Sequence, residues 1–453
     1  MFVPVRRLFI LLACVLALYA ALPTRTYYWD GVLFALNIED VARGQSSPLT
    51  LFHPNHLLYT AWGYALYRAA LACGLTLRAI TVLQIFNMLA SVTAAALVFR
   101  LARRWNQSAL FCATLFAFGA TWWKFSSDAD AYIVSVLLLL VAMCFATATP
   151  PRWWAAALCH AAAMLFHELA IFTYPAILAA MLLERSRRFR LAAAYMAVTG
   201  AVVAGTYWIC YSLMDHSRYP TLLAWVTSFA SDSGYTHSFG QVAGSFGSYG
   251  KLFAGGRLAL LRDYFSVPSA IAFAVCAVAL IAAFRRPGMK APSARRPLLW
   301  AWAVPYFIFL ASWDPVSAFH KLFVWPAIVL LITAYLRPNY AFAIAIAAWN
   351  FGAFIYPHAQ ASADPVLALA QKINRELPKK ATIYYAAFSP DDWYLDYFAP
   401  GRTWLKLNGA VAAEGTVCLE TTALASKGPV ETNRTWELVN AQHNIRLACR
   451  IAP

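Results

Sequence analysis

Asp30 stands in the run Tyr27-Tyr28-Trp29-Asp30-Gly31-Val32-Leu33-Phe34, a few residues beyond the first apolar block of the chain. A carboxylate held among aromatic rings keeps its proton to higher pH, and so can take a proton from a hydroxyl as a general base. An acid ahead of an apolar helix is also a common N-cap, and the residues alone leave both readings open. Glu39 and Asp40 follow on the same expected helix, where a solvated face accounts for them.

Four further groupings carry chemistry. Leu51-Phe52-His53-Pro54-Asn55-His56 holds two histidines three apart, able to ligate a metal or contact a phosphate, or to cap a helix. Lys124-Phe125-Ser126-Ser127-Asp128-Ala129-Asp130 pairs a lysine suited to phosphate with an Asp-x-Asp suited to a divalent cation. His167-Glu168 interrupts an otherwise apolar stretch, where an adjacent base and acid are costly unless they bind something. His320-Lys321, with Asp314 nearby, can neutralise a departing phosphate, although Lys321 can equally snorkel to the membrane interface.

These groups need positioning, and the composition says by what. The chain has 453 residues, 61% hydrophobic and only 12% charged, about half the charge fraction of a soluble domain. The apolar residues come in long blocks at 8–22, 80–99 and 133–148. Hydrocarbon cannot satisfy a peptide group, so such blocks must be membrane helices. The excess of Lys+Arg (36) over Asp+Glu (20) does not imply nucleic acid. The basic residues fall in short clusters between blocks, such as Arg6-Arg7, Arg100/Arg103/Arg104 and Arg285-Arg286, which is the pattern of cytoplasmic loops.

If 55–71 lies along the interface, every later basic cluster faces inward. About eleven spanning helices follow, at 8–22, 80–99, 108–123, 132–149, 153–167, 170–184, 191–213, 267–284, 298–312, 321–336 and 340–356. The expected fold is an all-α polytopic membrane unit over 1–357, with a small extracytoplasmic α/β domain over 358–453. In the latter, 382–388 and 402–407 read as strands, 391–398 as a helix, and 435–439 with 445–451 as a closing pair. The Gly- and Ser-rich loop 214–266 reads as a mobile lid or a poorly ordered segment. Cys418 and Cys449 are the two cysteines of the C-terminal region, and a disulfide between them is expected if that region is outside. Neither a Gly-rich phosphate loop, a Gly-x-Ser-x-Gly nor a His-Glu-x-x-His is present, so no nucleotide cofactor is expected.

In this order the features resemble the GT-C superfamily of polyprenyl-phosphate-sugar glycosyltransferases, in the branch of the lipid A aminoarabinose transferases and protein O-mannosyltransferases. The likeness rests on Asp30 with Phe34, on Arg100-Leu101-Ala102-Arg103-Arg104 closing the second span, and on the acidic turn at Asp128/Asp130. It extends through the polar pair ahead of Pro175 and the run His320-Lys321-Leu322-Phe323-Val324-Trp325-Pro326. Two departures stand out. Gly31 occupies the place where many relatives carry Glu, and His53-Pro54-Asn55-His56 replaces a Lys-Pro-Pro.

The resemblance implies an inverting transfer of a sugar from a polyprenyl-phosphate carrier, at the periplasmic face of a bacterial inner membrane. Asp30 would be the base. His53, His56, Lys124, His167, Glu168, His320 and Lys321 would hold donor phosphate or substrate, with a divalent metal ion at Asp128 and Asp130. The acceptor stays open between lipid A, another envelope glycan and protein. A polytopic transporter or lipid flippase is the alternative, and would show an inverted repeat with polar groups at mid-membrane.

Overall fold

The computed structural model describes residues 2–105, 107–182, 188–228, 239–284, 295–377, 379–385, 392–406, 417–420, 434–439 and 444–450. Helix α1 (Phe2–Ala21) is followed by α2 (Trp29–Ala42) and α3 (Tyr59–Ala72), then by the long α4 (Ala79–Arg104). The next blocks form α5 (Ala109–Ala117), α6 (Ala120–Ser126), α7 (Tyr132–Ala146), α8 (Trp153–Phe166), α9 (Tyr174–Leu182) and α10 (Arg188–Ser212). Three shorter elements, α11 (Leu222–Val226), α12 (Phe239–Phe253) and α13 (Leu258–Asp263), precede α14 (Val267–Phe284) and α15 (Arg296–Trp313). α16 (Trp325–Tyr335) and α17 (Tyr340–Asn350) follow, and α17 runs through a π-turn at Phe351–Ile355 into α18 (Tyr356–His358).

Among the described residues four helices are long and apolar enough to cross a membrane, at Ala79–Arg104, Phe189–Ser212, Val267–Phe284 and Tyr340–His358. The protein is an integral membrane protein. The other expected spans also coincide with helices, shorter or less uniformly apolar ones. That expected at 108–123 is two helices, broken at Phe118-Gly119.

A helix that ends inside an apolar core strands its last carbonyls, and each must find a donor. Here three side chains supply them: Trp325 Nε1 donates to Phe116 O (3.0 Å), Tyr19 Oη to Ala117 O (2.6 Å) and Asn350 Nδ2 to Phe118 O (2.8 Å). Gly119 lets the turn close, because a Cβ there would sit 2.5 Å from Trp325 and 2.8 Å from Leu252 O. The break redirects α6, which carries Lys124 towards the candidate site.

The described residues of 214–266 form three helices, α11, α12 and α13, where composition suggested a mobile lid or poor order. α12 lies against α6, with Thr121 Oγ1 donating to Lys251 O (2.8 Å) and Ser248 Oγ to Pro315 O (2.8 Å). Its small residues permit close packing: a Cβ on Gly244 would be 2.8 Å from Val316, and one on Gly255 would be 2.7 Å from Phe354. Residues 229–238 lie outside the described residues.

After α19 (Pro365–Glu376) come β1 (Thr382–Tyr385), α20 (Asp392–Phe398), β2 (Thr403–Lys406), β3 (Val417–Glu420), β4 (Arg434–Val439) and β5 (Asn444–Arg450). They form one five-stranded sheet in the order β2-β1-β3-β5-β4, parallel at β1 and antiparallel around β5. Strand β3 was missed in the sequence, where its four residues are too few to show alternation. The register of β3 on β5 sets Cys418 opposite Cys449. Opposed antiparallel residues have Cα atoms about 4.5–5.5 Å apart, within disulfide range. Protein purified from membranes without reductant and alkylated is expected to yield these cysteines as one cross-linked peptide pair. Recovery of both as alkylated peptides would refute the bond.

Candidate active site

Asp30 lies in the first turn of α2, whose N-cap position is Tyr28 and has no side-chain cap. The carboxyl is therefore not a cap, and among the described residues no group donates a hydrogen bond to it. Burial alone pushes its pKa up to about 6. What lies opposite is the 127–130 turn. The approach is so close that a Cβ on Gly31 would meet Ala129 O at 2.3 Å. Glycine at this position is thus a packing requirement, and it explains one departure from the family pattern.

The turn itself is held from α4. Gln84 Nε2 donates to Thr24 O (3.2 Å) and Ser127 O (2.7 Å), and Asn87 Nδ2 to Asp128 O (2.8 Å) and Asp130 O (2.7 Å). These amides were overlooked in the sequence. Their signal was present, since a buried amide inside an apolar span is costly unless it has a task.

Of the two acids in the turn, Asp128 is fully engaged. Its Oδ2 accepts from Lys124 Nζ (2.8 Å) and from Tyr28 N–H (3.1 Å), and its Oδ1 from Ala129 N–H (2.8 Å). Asp130 is different. Oδ1 accepts from Ala131 N–H (2.6 Å), but Oδ2 is buried without a partner. Burial, then the Asp30 and Asp128 carboxylates, raise its pKa well above the ordinary range. The Asp30 charge is thus one of the causes that raise Asp130, and the two carboxyls act on each other electrostatically. Among the described residues no three His, Cys, Asp or Glu side chains are grouped to hold a metal ion. Asp128 is already engaged by Lys124 and backbone amides, so of the two expected ligands only Asp130 keeps an unpartnered oxygen among the described residues.

Three of the expected histidines converge around Tyr132, beside this turn. The His56 and His167 rings are 4.5 Å apart, and Tyr132 lies 4.8 Å from His167 and 5.9 Å from His320. His53 stacks on His56 at 5.7 Å and caps the following turn through Nδ1, which accepts from Asn55 N–H (3.3 Å). Burial lowers the pKa of His53 to about 4 and holds that of His56 well below normal. Both are neutral at pH 7 and act as hydrogen-bonding groups rather than cations. His56 Nδ1 and His167 Nε2 are buried without partners. Phe319 joins the two halves of the site, 4.8 Å from Tyr28 and 5.6 Å from Tyr132.

Two expected residues stand apart. Lys321 Nζ donates to Asp314 O (3.3 Å), Pro315 O (3.0 Å) and Ser317 O (3.0 Å), so all three hydrogens hold the 314–317 loop. That loop also supplies Asp314, whose carboxylate meets His320 Nδ1 at 2.7 Å. Glu168 faces a separate apolar cavity.

Positive charge comes from Lys124 and from two residues not singled out in the sequence, Lys251 and Arg257. A cavity of about 770 Å³ is lined by Tyr28, Lys124, Lys251, Arg257 and His358 among others. Among the described residues neither Lys251 nor Arg257 has an ion-pair partner. Arg257 was hidden by its setting in a Gly-rich loop, where composition suggested disorder.

The far end of α2 is anchored to the C-terminal region. Glu39 Oε1 accepts from Arg78 Nε (2.8 Å), Ala79 N–H (3.0 Å) and Tyr397 Oη (2.9 Å), while the Arg78 guanidinium lies 4.0 Å over the Tyr397 ring. Glu39 is therefore buried, not on the solvated face expected for it. Asp40, paired with Arg43 at 2.6 Å, is nearer the surface.

The sequence matches no family model and no curated protein significantly. The structure does match solved ones. ArnT from Cupriavidus metallidurans, both bound to undecaprenyl phosphate and in the apo state, aligns with TM-score 0.58 at 13% identity, covering 97% of each chain. At that identity the likeness is one of fold. Over nearly its whole length, then, this chain has the ArnT fold, in keeping with its sequence resemblance to the GT-C superfamily.

Proposed function

We propose that the protein is a membrane glycosyltransferase that moves a sugar from a polyprenyl-phosphate carrier to an acceptor at the periplasmic face of a bacterial inner membrane. The observation that carries this reading is the half-buried Asp30, which no group among the described residues donates to, with the buried Asp130 acting on it, next to a cavity that Tyr28 lines together with Lys124, Lys251 and Arg257. A general base and a cationic phosphate pocket are the two parts that displacement at a sugar phosphate requires. That an ArnT of the same fold was solved with undecaprenyl phosphate supports a carrier of this class.

The step balances as follows. The Asp30 carboxylate takes the proton of an acceptor hydroxyl as its oxygen bonds to the anomeric carbon. The bond from that carbon to the phosphate oxygen breaks, with inversion, and the electron pair leaves on the phosphate. Lys124, Lys251 and Arg257 offset the charge that develops there. Asp130, whose burial holds its pKa well above the ordinary range, disfavours a second anion near the base.

A panel of radiolabelled polyprenyl-phosphate sugars presented to membranes tests the reading, and no incorporation from any of them would count against it. In the same assay Lys251→Ala and Arg257→Ala are each expected to raise KM for the donor about tenfold, the effect of losing one charge-assisted hydrogen bond, with KM for the acceptor unchanged. Unchanged donor KM in both variants would place the phosphate elsewhere.

A further inference from the structure

A second cavity, of about 490 Å³, lies against α8, α10 and α15 and is lined chiefly by apolar side chains, with Glu168, Asn55 and Tyr207 as its polar members. Tyr207 Oη donates to Pro54 O, so its hydrogen is committed. Glu168 has no hydrogen-bond or ion-pair partner among the described residues, and neither does the side-chain amide of Asn55. The cavity adjoins the candidate site through Trp313, whose ring lies 4.6 Å from His320.

Its outer rim is apolar and open: Ile171 is 46% exposed, and Leu223, next to the lining residue Leu222, is 71% exposed. An apolar chain suits these walls. Burial raises the Glu168 pKa to about 7, so at pH 8 the carboxyl is mostly ionised, and an anionic head group would meet it with no Lys or Arg among the described lining residues to compensate. A hydroxyl suits both free groups, since it donates to the Glu168 carboxyl and accepts from the Asn55 amide.

We propose that this cavity binds a long-chain amphiphile through an uncharged hydroxyl head group, held between Glu168 and Asn55. The transferase reading gives such a ligand a role, because Trp313 of the cavity lies against His320 of the candidate site, and a lipid-borne acceptor held here would approach that site. Binding, however, is measurable without transfer, so the two proposals can fail separately.

The experiment uses the full-length protein in phosphatidylcholine nanodiscs and a long-chain alcohol carrying a diazirine, with cross-linked residues mapped by mass spectrometry. Labels are expected on Leu169, Ile171 and Phe172. Dodecanol is expected to compete at least tenfold better than dodecyl phosphate. Glu168→Gln keeps the shape and is expected to weaken that competition about tenfold at pH 8, where Glu168 is mostly ionised, the effect of losing a hydrogen bond to a charged acceptor. Ala204→Phe, which fills the cavity from α10, is expected to remove the labels; if it does not fold, Glu168→Gln alone decides. Labels spread evenly over α10 and α14, equal competition by the phosphate, or no change in Glu168→Gln would each overturn the proposal.

Discussion

Asp30→Asn is expected to lower transfer from the lipid-linked donor by about 10²–10⁴-fold, the usual contribution of a general base, while leaving the fold intact. Burial, not a partner, sets the environment of this carboxyl, so the neutral amide removes a desolvation cost. Thermal stability of the variant is therefore expected to equal or exceed that of the wild type. The combination distinguishes a catalytic carboxyl from a structural one, whose loss would lower both. The pH profile gives a second check. A base works ionised, and the pKa of Asp30 is raised to about 6. Wild-type kcat/KM should thus be flat above neutrality, reach half its plateau near pH 6 and keep falling in more acidic solution. An inflection near pH 4 would mean that the base is an ordinary exposed carboxylate and not Asp30.

Gly31→Ala is the smallest substitution expected to have a large effect. The new methyl carbon would lie 2.3 Å from Ala129 O and 2.9 Å from Ala129 C, which are backbone atoms and cannot rotate aside. Either α2 withdraws or the 127–130 turn shifts, and the turn is tied to α4 through Gln84 and Asn87. Withdrawal of α2 carries Asp30 away from Asp130. Displacement of a catalytic group by about 1 Å can cost about 10²-fold, so activity should fall by more than tenfold. As Asp30 gains solvent, its pKa moves down and the acid limb of the profile moves with it. Asn87→Leu should produce a related defect by freeing the turn. Wild-type kinetics in Gly31→Ala would show that the contact between α2 and the turn is not needed for catalysis.

Much of this was legible in the sequence because hydrocarbon is an unforgiving solvent. Apolar blocks had to be helices, and basic clusters had to mark one side of the membrane. Of the few ionisable residues left between the blocks, the fold brings Asp30, Asp130, His56 and His167 towards one another around Tyr132. Their order along the chain sufficed for the resemblance to a superfamily whose fold the structure shares.

What only the tertiary structure decided is how those residues divide their work. Asp128 and Asp130 are two residues apart and chemically identical, but Lys124 reaches only the first, and the second keeps a buried oxygen with no donor among the described residues. Lys321 is consumed by three carbonyls of its own loop, while Lys251 and Arg257, in a segment whose glycines suggested disorder, line the cavity. Glu168 belongs to another cavity altogether. The physical reason is one of range. Burial of an apolar block is a property of its own residues, whereas a charge is free or spent according to which donors other segments bring within about 3 Å of it, and that distance is set by packing between residues far apart in the chain.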